Sequence, residues 1–388
     1  MNAYSETVFN AKTKIYTGVS SIKNLGPVLQ EIGAHRILMV TDQGIKHSGI
    51  LKNVLGEIPE NMEVLIYDEV KPNPDVASID ETANNYRKKE ISALVAVGGG
   101  SVIDSAKALA IVLTNESSIS AYYGFDQYTE KALPLIAIPT TVGTGSESGN
   151  AAVITDETDG LKTKKLVFGE DLFPRVAILD ASLLRAMPSG LIASTGMDAL
   201  THAIEGYVSI WSTHFTDALN LHAVRVIGKS LLPAIAHSEN TEAMHGMLLA
   251  SSITGLGMAN SGLGMVHGIS HAIGAQYDAP HGIVNAILLP YLLEYNWIAN
   301  PEKFKDIAEA LRVNIEGLSV EEAAKAAVAY VKNLTKEAGI PEKLSAIGVS
   351  KEHIDVLVDI AFHDAQYMVP NPRKMSRQDI YNILDQSI

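Results

Sequence analysis

Five short apolar runs in the first half of the sequence constrain the possible fold more than any other feature. The runs span residues 36–42, 63–68, 91–100, 133–141 and 175–180, and most of them end in Asp, Gly or Thr. Segments with amphipathic helical spacing separate the runs, and this alternation is typical of a parallel sheet wound with helices. Because the carboxyl ends of parallel strands form the ligand crevice of such a sheet, we expect the polar endings to face a ligand.

The second half of the sequence loses the strand pattern near residue 185. It has helical periodicity instead, for example over residues 308–334, and the motif MPSG at 187–190 offers a break between the halves. A chain of 388 residues is long enough for two domains. We therefore predict an α/β domain with a parallel sheet over residues 1–184 and an all-α domain over residues 185–388.

Composition excludes several kinds of site. The chain has no cysteine, which excludes disulfides, thiolate zinc sites and cysteine nucleophiles, so nitrogen and oxygen must hold any metal. The formal charge of −14 argues against a nucleic-acid surface. No signal-like segment opens the chain and no apolar stretch is long enough to cross a bilayer, so we expect a cytoplasmic protein without membrane contacts.

The sequence VAVGGGSVIDSAKALAIVL at 95–113 predicts a strand, a three-glycine turn and a helix that starts near Ser101 and Asp104. Glycines let the backbone approach a ligand closely, and the helix start offers free N–H groups to an anion such as a pyrophosphate. Ile103 stands where the usual dinucleotide fingerprint has its third glycine. The alternative interpretation is that a strand-to-helix turn simply needs glycine.

A second polar loop, PTTVGTGSESGN at 139–150, follows another apolar run and carries hydroxyl groups that suit ribose and phosphate oxygens. Asp42 ends the run at 36–42, where a carboxylate can accept hydrogen bonds from an adenosine ribose and repel a 2′-phosphate. If a dinucleotide binds, this acid favours NAD over NADP. Asp42 can equally be a turn or capping residue.

Acidic and histidine residues are concentrated in two stretches of the second half. The helical sequence STGMDALTHAIEGYVS at 194–209 places Asp198 and His202 on one face, and His267, His271 and His281 follow among small residues. A carboxylate with imidazoles and no sulfur suits Fe²⁺ or Zn²⁺. Taken singly, each histidine can be a packed core residue, and spacing does not decide which of the five candidates bind the ion. A histidine left over would be a natural proton shuttle.

Four motifs in order resemble those of the iron-containing, or group III, alcohol dehydrogenases: GGGSVIDSAKA, PTTVGTGSE, GMDALTHAIEGYVS and the H-x₃-H-x₉-H of residues 267–281. The resemblance covers essentially the whole chain. It implies an α/β NAD-binding domain over 1–184 and an all-helical metal-binding domain over 185–388. The implied activity transfers hydride between NAD(H) and a small primary alcohol, diol or aldehyde, with a divalent metal polarising the substrate oxygen. A homodimer or larger homo-oligomer is implied as well.

The resemblance also implies site residues, carried over position by position. The implied ligands of Fe²⁺, with Zn²⁺ as the alternative metal, are Asp198, His202, His267 and His281. The implied proton relay beside the nicotinamide is His271. The residues implied around the dinucleotide are Asp42, Gly98, Gly99, Gly100, Ser101, Asp104, Thr140, Thr141, Thr144, Ser146 and Lys164, for which Lys165 is the alternative.

Three other functions are alternatives to this dehydrogenase activity. A metal-dependent lyase or synthase on the same fold would bind NAD but regenerate it within one turnover. A catalytically silent metal- and nucleotide-binding protein would bind both without turnover. A short-chain dehydrogenase would need a helical Tyr-x₃-Lys, and Tyr67 and Lys71 have that spacing, but Pro72 and Pro74 follow at once and disfavour a helix.

Overall fold

The computed structural model describes residues 6–157 and 161–388. Within it the chain forms two compact units. One, the α/β unit, comprises Ala11–Met187, and the other, the helical unit, comprises Pro188–Ile388 together with the segment that ends at Asn10.

A six-stranded parallel sheet forms the centre of the α/β unit. In chain order the strands of the unit are β1 Lys14–Thr17, β2 Arg36–Val40, β3 Glu63–Tyr67, β4 Ala93–Gly98, β5 Gly124–Phe125, β6 Leu135–Pro139, β7 Ala151–Asp156, β8 Thr163–Phe168 and β9 Val176–Leu179. The strand order of the six-stranded sheet is β1-β9-β6-β4-β2-β3, and a separate three-stranded sheet has the order β5-β8-β7, with β7 and β8 antiparallel. Each of the five predicted apolar runs contains one strand of the six-stranded sheet, which confirms the predicted fold class.

Five helices pack around this sheet in the described part of the unit. They are α1 Leu25–Glu31, α2 Gln43–Ser48, α3 Ile50–Leu55, α4 Val76–Tyr86 and α5 Gly100–Val112. Because side chains alternate along a strand, neighbouring residues enter two different cores. Leu94 of β4 packs with Leu109 of α5 on one face, while Val95 packs with Leu29 of α1 on the other. Both faces are thus covered, which explains why the central strands are apolar throughout.

The strand order creates a switch point between β2 and β4. From β2 the chain passes to β3 on one side, and it then returns to β4 and β6 on the other side. Ligands bind outside the carboxyl ends of strands at such points. The segments that follow β2, β4 and β6 are the ones in which the sequence predicts ligand-binding residues.

Helices alone build the described part of the unit after Pro188. They are α6 Ser189–Val208, α7 His214–Ala236, α8 Thr241–Ser261, α9 Met265–Tyr277, α10 His281–Asn296, α11 Pro301–Ala310, α12 Val320–Glu337, α13 Ile354–His363, α14 Ala365–Met368 and α15 Arg377–Ser387. In the two described ranges, no helix combines the length and the apolar character that a membrane span requires.

The predicted helical stretch 308–334 contains a break. Helix α11 ends at Ala310 and α12 starts only at Val320. Between them Arg312 and Gly317 adopt positive φ angles of 61° and 79°, which ends the helical path. Ser319 then begins α12 with a reciprocal capping box to Glu322. The apolar periodicity on both sides of the break hid it from the sequence pattern.

Candidate functional site

The glycine turn after β4 packs directly against the hydroxyl-rich loop after β6. A methyl group added to Gly100 would lie 2.8 Å from the Thr144 side chain, and one added to Gly98 would lie 2.5 Å from Val102. Both distances are too short for a real side chain. Glycine is therefore required here for close approach, which is more than the turn alone explains.

Helix α5 begins at this turn without a side-chain cap. Gly99 is its N-terminal cap residue and has no side chain with which to cap the helix. Backbone N–H groups at a helix start, with the positive end of the helix dipole, favour a bound anion. The cradle of glycines and the helix start therefore fit the pyrophosphate of a dinucleotide.

Asp104 and Ser146 connect helix α5 to the second polar loop. The hydroxyl of Ser146 donates to Asp104 Oδ1 at 2.5 Å, and the backbone N–H of Val153 donates to the other carboxyl oxygen at 3.1 Å. Burial raises the pKa of Asp104, and the nearby Lys107 ammonium opposes that rise. The Asp104 carboxylate thus fixes the loop after β6 and the start of β7 to the helix.

Lys107 is a site residue that the sequence analysis missed. It is only 1% exposed, and its ammonium donates to Ser146 Oγ at 3.1 Å and to the carbonyl oxygens of Gly149 and Ala151, each at 2.8 Å. Burial lowers its pKa to about 8, while Asp104 and Glu147 hold it up. The single basic residue of the largely apolar stretch 102–113, three positions after Asp104, was the signal that could have identified it.

Replacing Lys107 with methionine should remove a pH dependence of stability. The pKa of Lys107 is about 8 in the folded protein against an ordinary 10.5, so the unfolded chain binds more protons between these values. In that window Lys107 makes the free energy of unfolding rise with pH, by up to about 1.4 kcal/mol per unit. Urea titrations should give a wild-type minus Lys107→Met difference that grows between about pH 8 and about pH 10. A difference independent of pH would contradict the folded-state pKa.

The other predicted dinucleotide residues lie along the same α/β unit. Asp42 follows β2, and its Oδ1 accepts the backbone N–H of Ile45 at 2.9 Å, so it does cap α2. Thr140 and Thr141 follow β6, and Thr140 donates its N–H to Gly98. Lys164 lies on β8 in the smaller sheet, where its ammonium donates to Asn73 Oδ1 and Thr155 Oγ1, each at 2.8 Å.

Three helices of the helical unit bring the acidic and histidine candidates together. Asp198 and His202 come from α6, His267 and His271 from α9, and His281 is the first residue of α10. One donor atom each of Asp198, His267 and His281 lies within 4.8 Å of the other two. The Nε2 atom of His202 is 4.0 Å from Asp198 Oδ1, and its ring stacks on His267 with centroids 4.6 Å apart.

Asn285, one turn into α10, touches all three of these donor atoms. Its Nδ2 lies 2.7 Å from Asp198 Oδ1, 3.1 Å from His267 Nε2 and 3.0 Å from His281 Nε2. An amide nitrogen has no lone pair to offer, so the atoms it contacts must be acceptors. The two amide hydrogens can serve Asp198 and one imidazole at a time, and since the nitrogen accepts nothing, the contacts favour the Nδ1–H form of both neutral rings.

The donor set fits a divalent cation. Two imidazole lone pairs and one carboxylate oxygen converge on one buried region, which is the arrangement that Fe²⁺ or Zn²⁺ prefers. Asn285 Oδ1 is buried there with no hydrogen-bond partner among the described residues, an uncommon cost in a purely structural cluster. Burial also lowers the pKa of His267, which keeps its ring neutral and able to bind a metal.

Glu205 is a second residue that the sequence analysis missed. It lies on α6 seven positions after Asp198, on the same helix face, and is 3% exposed. Its Oε2 is 2.5 Å from His267 Nδ1, and its Oε1 accepts the backbone N–H of Val266 at 2.7 Å. Burial raises its pKa to about 7, and the backbone donors of Val266 and Gly264 oppose that rise.

His271 lies beside the donor set but belongs to a different pair. Its ring centroid is 5.2 Å from that of His281, while its Nδ1 is 3.2 Å from the hydroxyl of Tyr367 on α14. Burial raises the pKa of Tyr367 well above its ordinary value, so the hydroxyl stays protonated. The histidine and tyrosine thus form a buried hydrogen-bonded pair at the edge of the cluster.

Two family models together match most of the chain. The family model for the iron-containing alcohol dehydrogenase matches residues 12–181, and that for the C-terminal part of the Fe-containing alcohol dehydrogenase family matches residues 192–388. The NAD-dependent methanol dehydrogenase of Bacillus methanolicus is 38% identical over 96% of this chain and 97% of its own length. The lactaldehyde reductase of Escherichia coli (strain K12) is 37% identical over 94% of this chain and 95% of its own.

A solved structure of 1,3-propanediol oxidoreductase is similar over almost its entire length. It superimposes with a TM-score of 0.95 at 36% identity, covering 99% of this chain and 100% of that one. The agreement extends through both units, so each of them has the architecture of its counterpart in that enzyme.

Proposed function

The chain belongs to the iron-containing alcohol dehydrogenase family, and from that membership we propose how its residues carry out the reaction. It is an NAD-dependent alcohol dehydrogenase or aldehyde reductase that acts on small alcohols or aldehydes. The observation that carries the residue assignment is that one donor atom each of Asp198, His267 and His281 lies within 4.8 Å of the others, with Asp198 and His267 buried.

The divalent metal is held by four residues and is Fe²⁺, with Zn²⁺ as the alternative. These ligands are Asp198, His202, His267 and His281. The three short distances to Asp198 Oδ1, 4.0, 4.0 and 3.9 Å from the histidine nitrogens, support this set. Neutral imidazoles with one carboxylate leave a bound divalent ion with net positive charge, which suits the stabilisation of an anionic oxygen.

The substrate is a small primary alcohol, a diol or the corresponding aldehyde. When bound, the ion would supply a Lewis acid for the substrate oxygen, and NAD would supply the acceptor for the hydride of the carbinol carbon. His271 accepts the proton that alcohol oxidation releases and passes it on beside Tyr367. The names of the relatives, which act on methanol, lactaldehyde and 1,3-propanediol, support a substrate of this size.

The dinucleotide is held by residues after three neighbouring strands and by one residue of the smaller sheet. We assign this role to Asp42, Gly98, Gly99, Gly100, Ser101, Asp104, Thr140, Thr141, Thr144, Ser146 and Lys164. Within this set, Asp104 and Ser146 act by fixing the loop, because they bond to each other. The start of α5 and the glycine turn provide the pyrophosphate contacts.

Replacing Asp42 with asparagine should raise the use of NADP relative to NAD about tenfold, because it removes about 1.4 kcal/mol of repulsion toward a 2′-phosphate. Asparagine still offers an oxygen to the Ile45 N–H, so α2 keeps its cap. The ratio of kcat/KM for the two cofactors checks this. Asp68→Asn, at the acid that follows β3, is the matched control and should leave the ratio unchanged. An unchanged ratio in Asp42→Asn would reject the ribose role.

The proposed function is tested by metal reconstitution. Protein stripped of metal is supplied anaerobically with Fe²⁺ or Zn²⁺, and NADH absorbance is followed with a panel of small alcohols and aldehydes. We expect activity to return with one or both ions and to be absent in a His267→Ala variant. Tight NAD binding without any net change in NADH would reject the dehydrogenase and favour the lyase or the catalytically silent binding protein.

A homodimer or larger homo-oligomer and a cytoplasmic location stay predictions. Exposed apolar side chains in the helical unit support self-association, since Phe215 is 66% exposed while its ring stacks on Phe9. Light scattering should give at least twice the mass of one chain. A monomeric mass at micromolar concentration would contradict the prediction.

A further inference from the structure

We infer that Glu205 is a positioning residue that fixes the Nδ1–H tautomer of His267 and so directs the Nε2 lone pair of this ring to the metal. The inference rests on the proposed metal site and extends it to a residue that does not itself bind the ion. It stands on the hydrogen-bond geometry around the Glu205 carboxylate.

The contact with Asp198 determines the orientation of the Asn285 amide. Asp198 Oδ1 lies 2.7 Å from Asn285 Nδ2, and an ionised carboxylate accepts hydrogen bonds only, so the nearer amide atom must be the nitrogen. The same nitrogen lies 3.1 Å from His267 Nε2 and 3.0 Å from His281 Nε2, so its second hydrogen is shared between the two rings. Because the amide nitrogen offers no acceptor to either ring, this contact favours a lone pair on His267 Nε2 and the imidazole proton on Nδ1.

Glu205 is the hydrogen-bond partner of the Nδ1 proton of His267. His267 Nδ1 lies 2.5 Å from Glu205 Oε2. The Nδ1–H group donates to this carboxylate, in the arrangement by which an acidic partner commonly orients a metal-binding histidine. His281 differs here, because its Nδ1 meets the hydroxyl of Ser270 at 3.1 Å, and a hydroxyl can donate or accept. Of these two rings, His267 is the one whose Nδ1–H meets a carboxylate acceptor, that of Glu205 on α6.

The carboxylate of Glu205 also caps the start of helix α9. Glu205 Oε1 accepts the backbone N–H of Val266, and Asn371 Oδ1 accepts that of Met265, so both residues cap the start of α9. A side chain at Gly264 would lie 2.8 Å from Glu205 Oε1 and 2.9 Å from Asn371 Oδ1. The helix that carries His267 is therefore held at its start by a residue of α6, the helix that carries Asp198.

The substitution Glu205→Gln leaves only one acceptor oxygen for the two hydrogen bonds that Glu205 accepts from Val266 and His267. Its amide has one acceptor oxygen and one donor nitrogen, whereas Val266 N–H and His267 Nδ1–H both need an acceptor. If the amide oxygen caps Val266, the amide nitrogen faces His267 and favours the Nε2–H tautomer, which has no lone pair for a metal. Asn371→Ala is the matched control, because it weakens the same helix start without touching the His267 ring.

The test measures metal affinity directly. Metal-free wild type, Glu205→Gln, Asn371→Ala and His267→Ala are titrated with Co²⁺ by visible absorption and with Zn²⁺ against a chelator. We expect Glu205→Gln to bind both ions about 10–100-fold more weakly than wild type. Asn371→Ala should melt at a lower temperature but keep its affinity within about threefold.

Two results would overturn the inference: wild-type affinity in Glu205→Gln, or an equal loss of affinity in Asn371→Ala. If wild type and His267→Ala bind the ions equally, the proposed metal site itself fails, and this outcome is distinct from the other two. Should Glu205→Gln not fold, nitrogen NMR of histidine-labelled, metal-free wild type still decides. The His267 signals, assigned by difference from His267→Ala, must report a protonated Nδ1, and a protonated Nε2 would reject the role.

Discussion

Replacing Asp198 with asparagine should lower kcat/KM for alcohol oxidation by about 1000-fold or more, which corresponds to about 4 kcal/mol of transition-state stabilisation. Asp198 is the one carboxylate of the donor set, and Nε2 atoms of His202, His267 and His281 lie within 4.0 Å of its Oδ1. Asparagine has nearly the same shape but no charge. It therefore removes the anionic ligand while leaving the packing of α6 in place.

Three measurements check this expectation. Metal content after purification should fall with activity, NAD binding should stay within about threefold of wild type, and far-ultraviolet circular dichroism should be unchanged. Glu242→Gln, which neutralises an exposed acid on α8 paired with Lys229, serves as the control and should keep full activity. Retention of more than about a tenth of wild-type kcat/KM would remove Asp198 from the ligand set.

Replacing His271 with glutamine should lower kcat about 100-fold with little effect on metal content, the loss typical of a missing general acid or base. The ring lies at the edge of the donor set, and its Nδ1 is bonded to the Tyr367 hydroxyl instead of Asp198. Glutamine keeps the hydrogen-bonding capacity of the position but does not titrate near neutral pH. Proton transfer should therefore become slow while the ion stays bound.

A pair of variants separates proton transfer from metal binding. Tyr367→Phe keeps the ring that packs edge-on against His271, with centroids 4.9 Å apart, and removes only the hydroxyl. We expect it to lower kcat less than tenfold, because it disturbs the orientation of His271 but leaves the imidazole. Loss of bound metal in His271→Gln would move this residue into the ligand set, and unchanged kcat in that variant would remove it from the reaction.

The main sheet could be predicted because its signal is local. A strand covered on both faces must be apolar at every position, so β4 and β6 are recognisable as runs without any tertiary information. The smaller sheet of β5, β7 and β8 escaped notice because none of its strands is buried at every position. For example, β8 reads TKKLVF, in which Val167 is its one fully buried residue.

The candidate ligands could also be predicted, because histidines and acids at helical spacing are visible in the sequence. Their supporting residues could not. Lys107, Glu205 and Asn285 are significant through tertiary partners, such as the contact of 2.5 Å between Glu205 and His267, which are 62 positions apart. The i, i+7 spacing of Asp198 and Glu205 placed both acids on one helix face, but spacing alone does not reveal which buried donor a carboxylate meets.

The convergence of α6, α9 and α10 on one set of donors makes a bound ion a reversible cross-link. Asp198 and His267 are separated by roughly seventy residues of chain, and closing a loop of that size removes about 4 kcal/mol of conformational freedom from the unfolded ensemble. An ion at one hundred times its dissociation constant adds about 2.7 kcal/mol to the free energy of unfolding. The supply of metal would then govern the lifetime of the folded enzyme as well as its rate, so protein made under metal starvation is expected to be the first degraded.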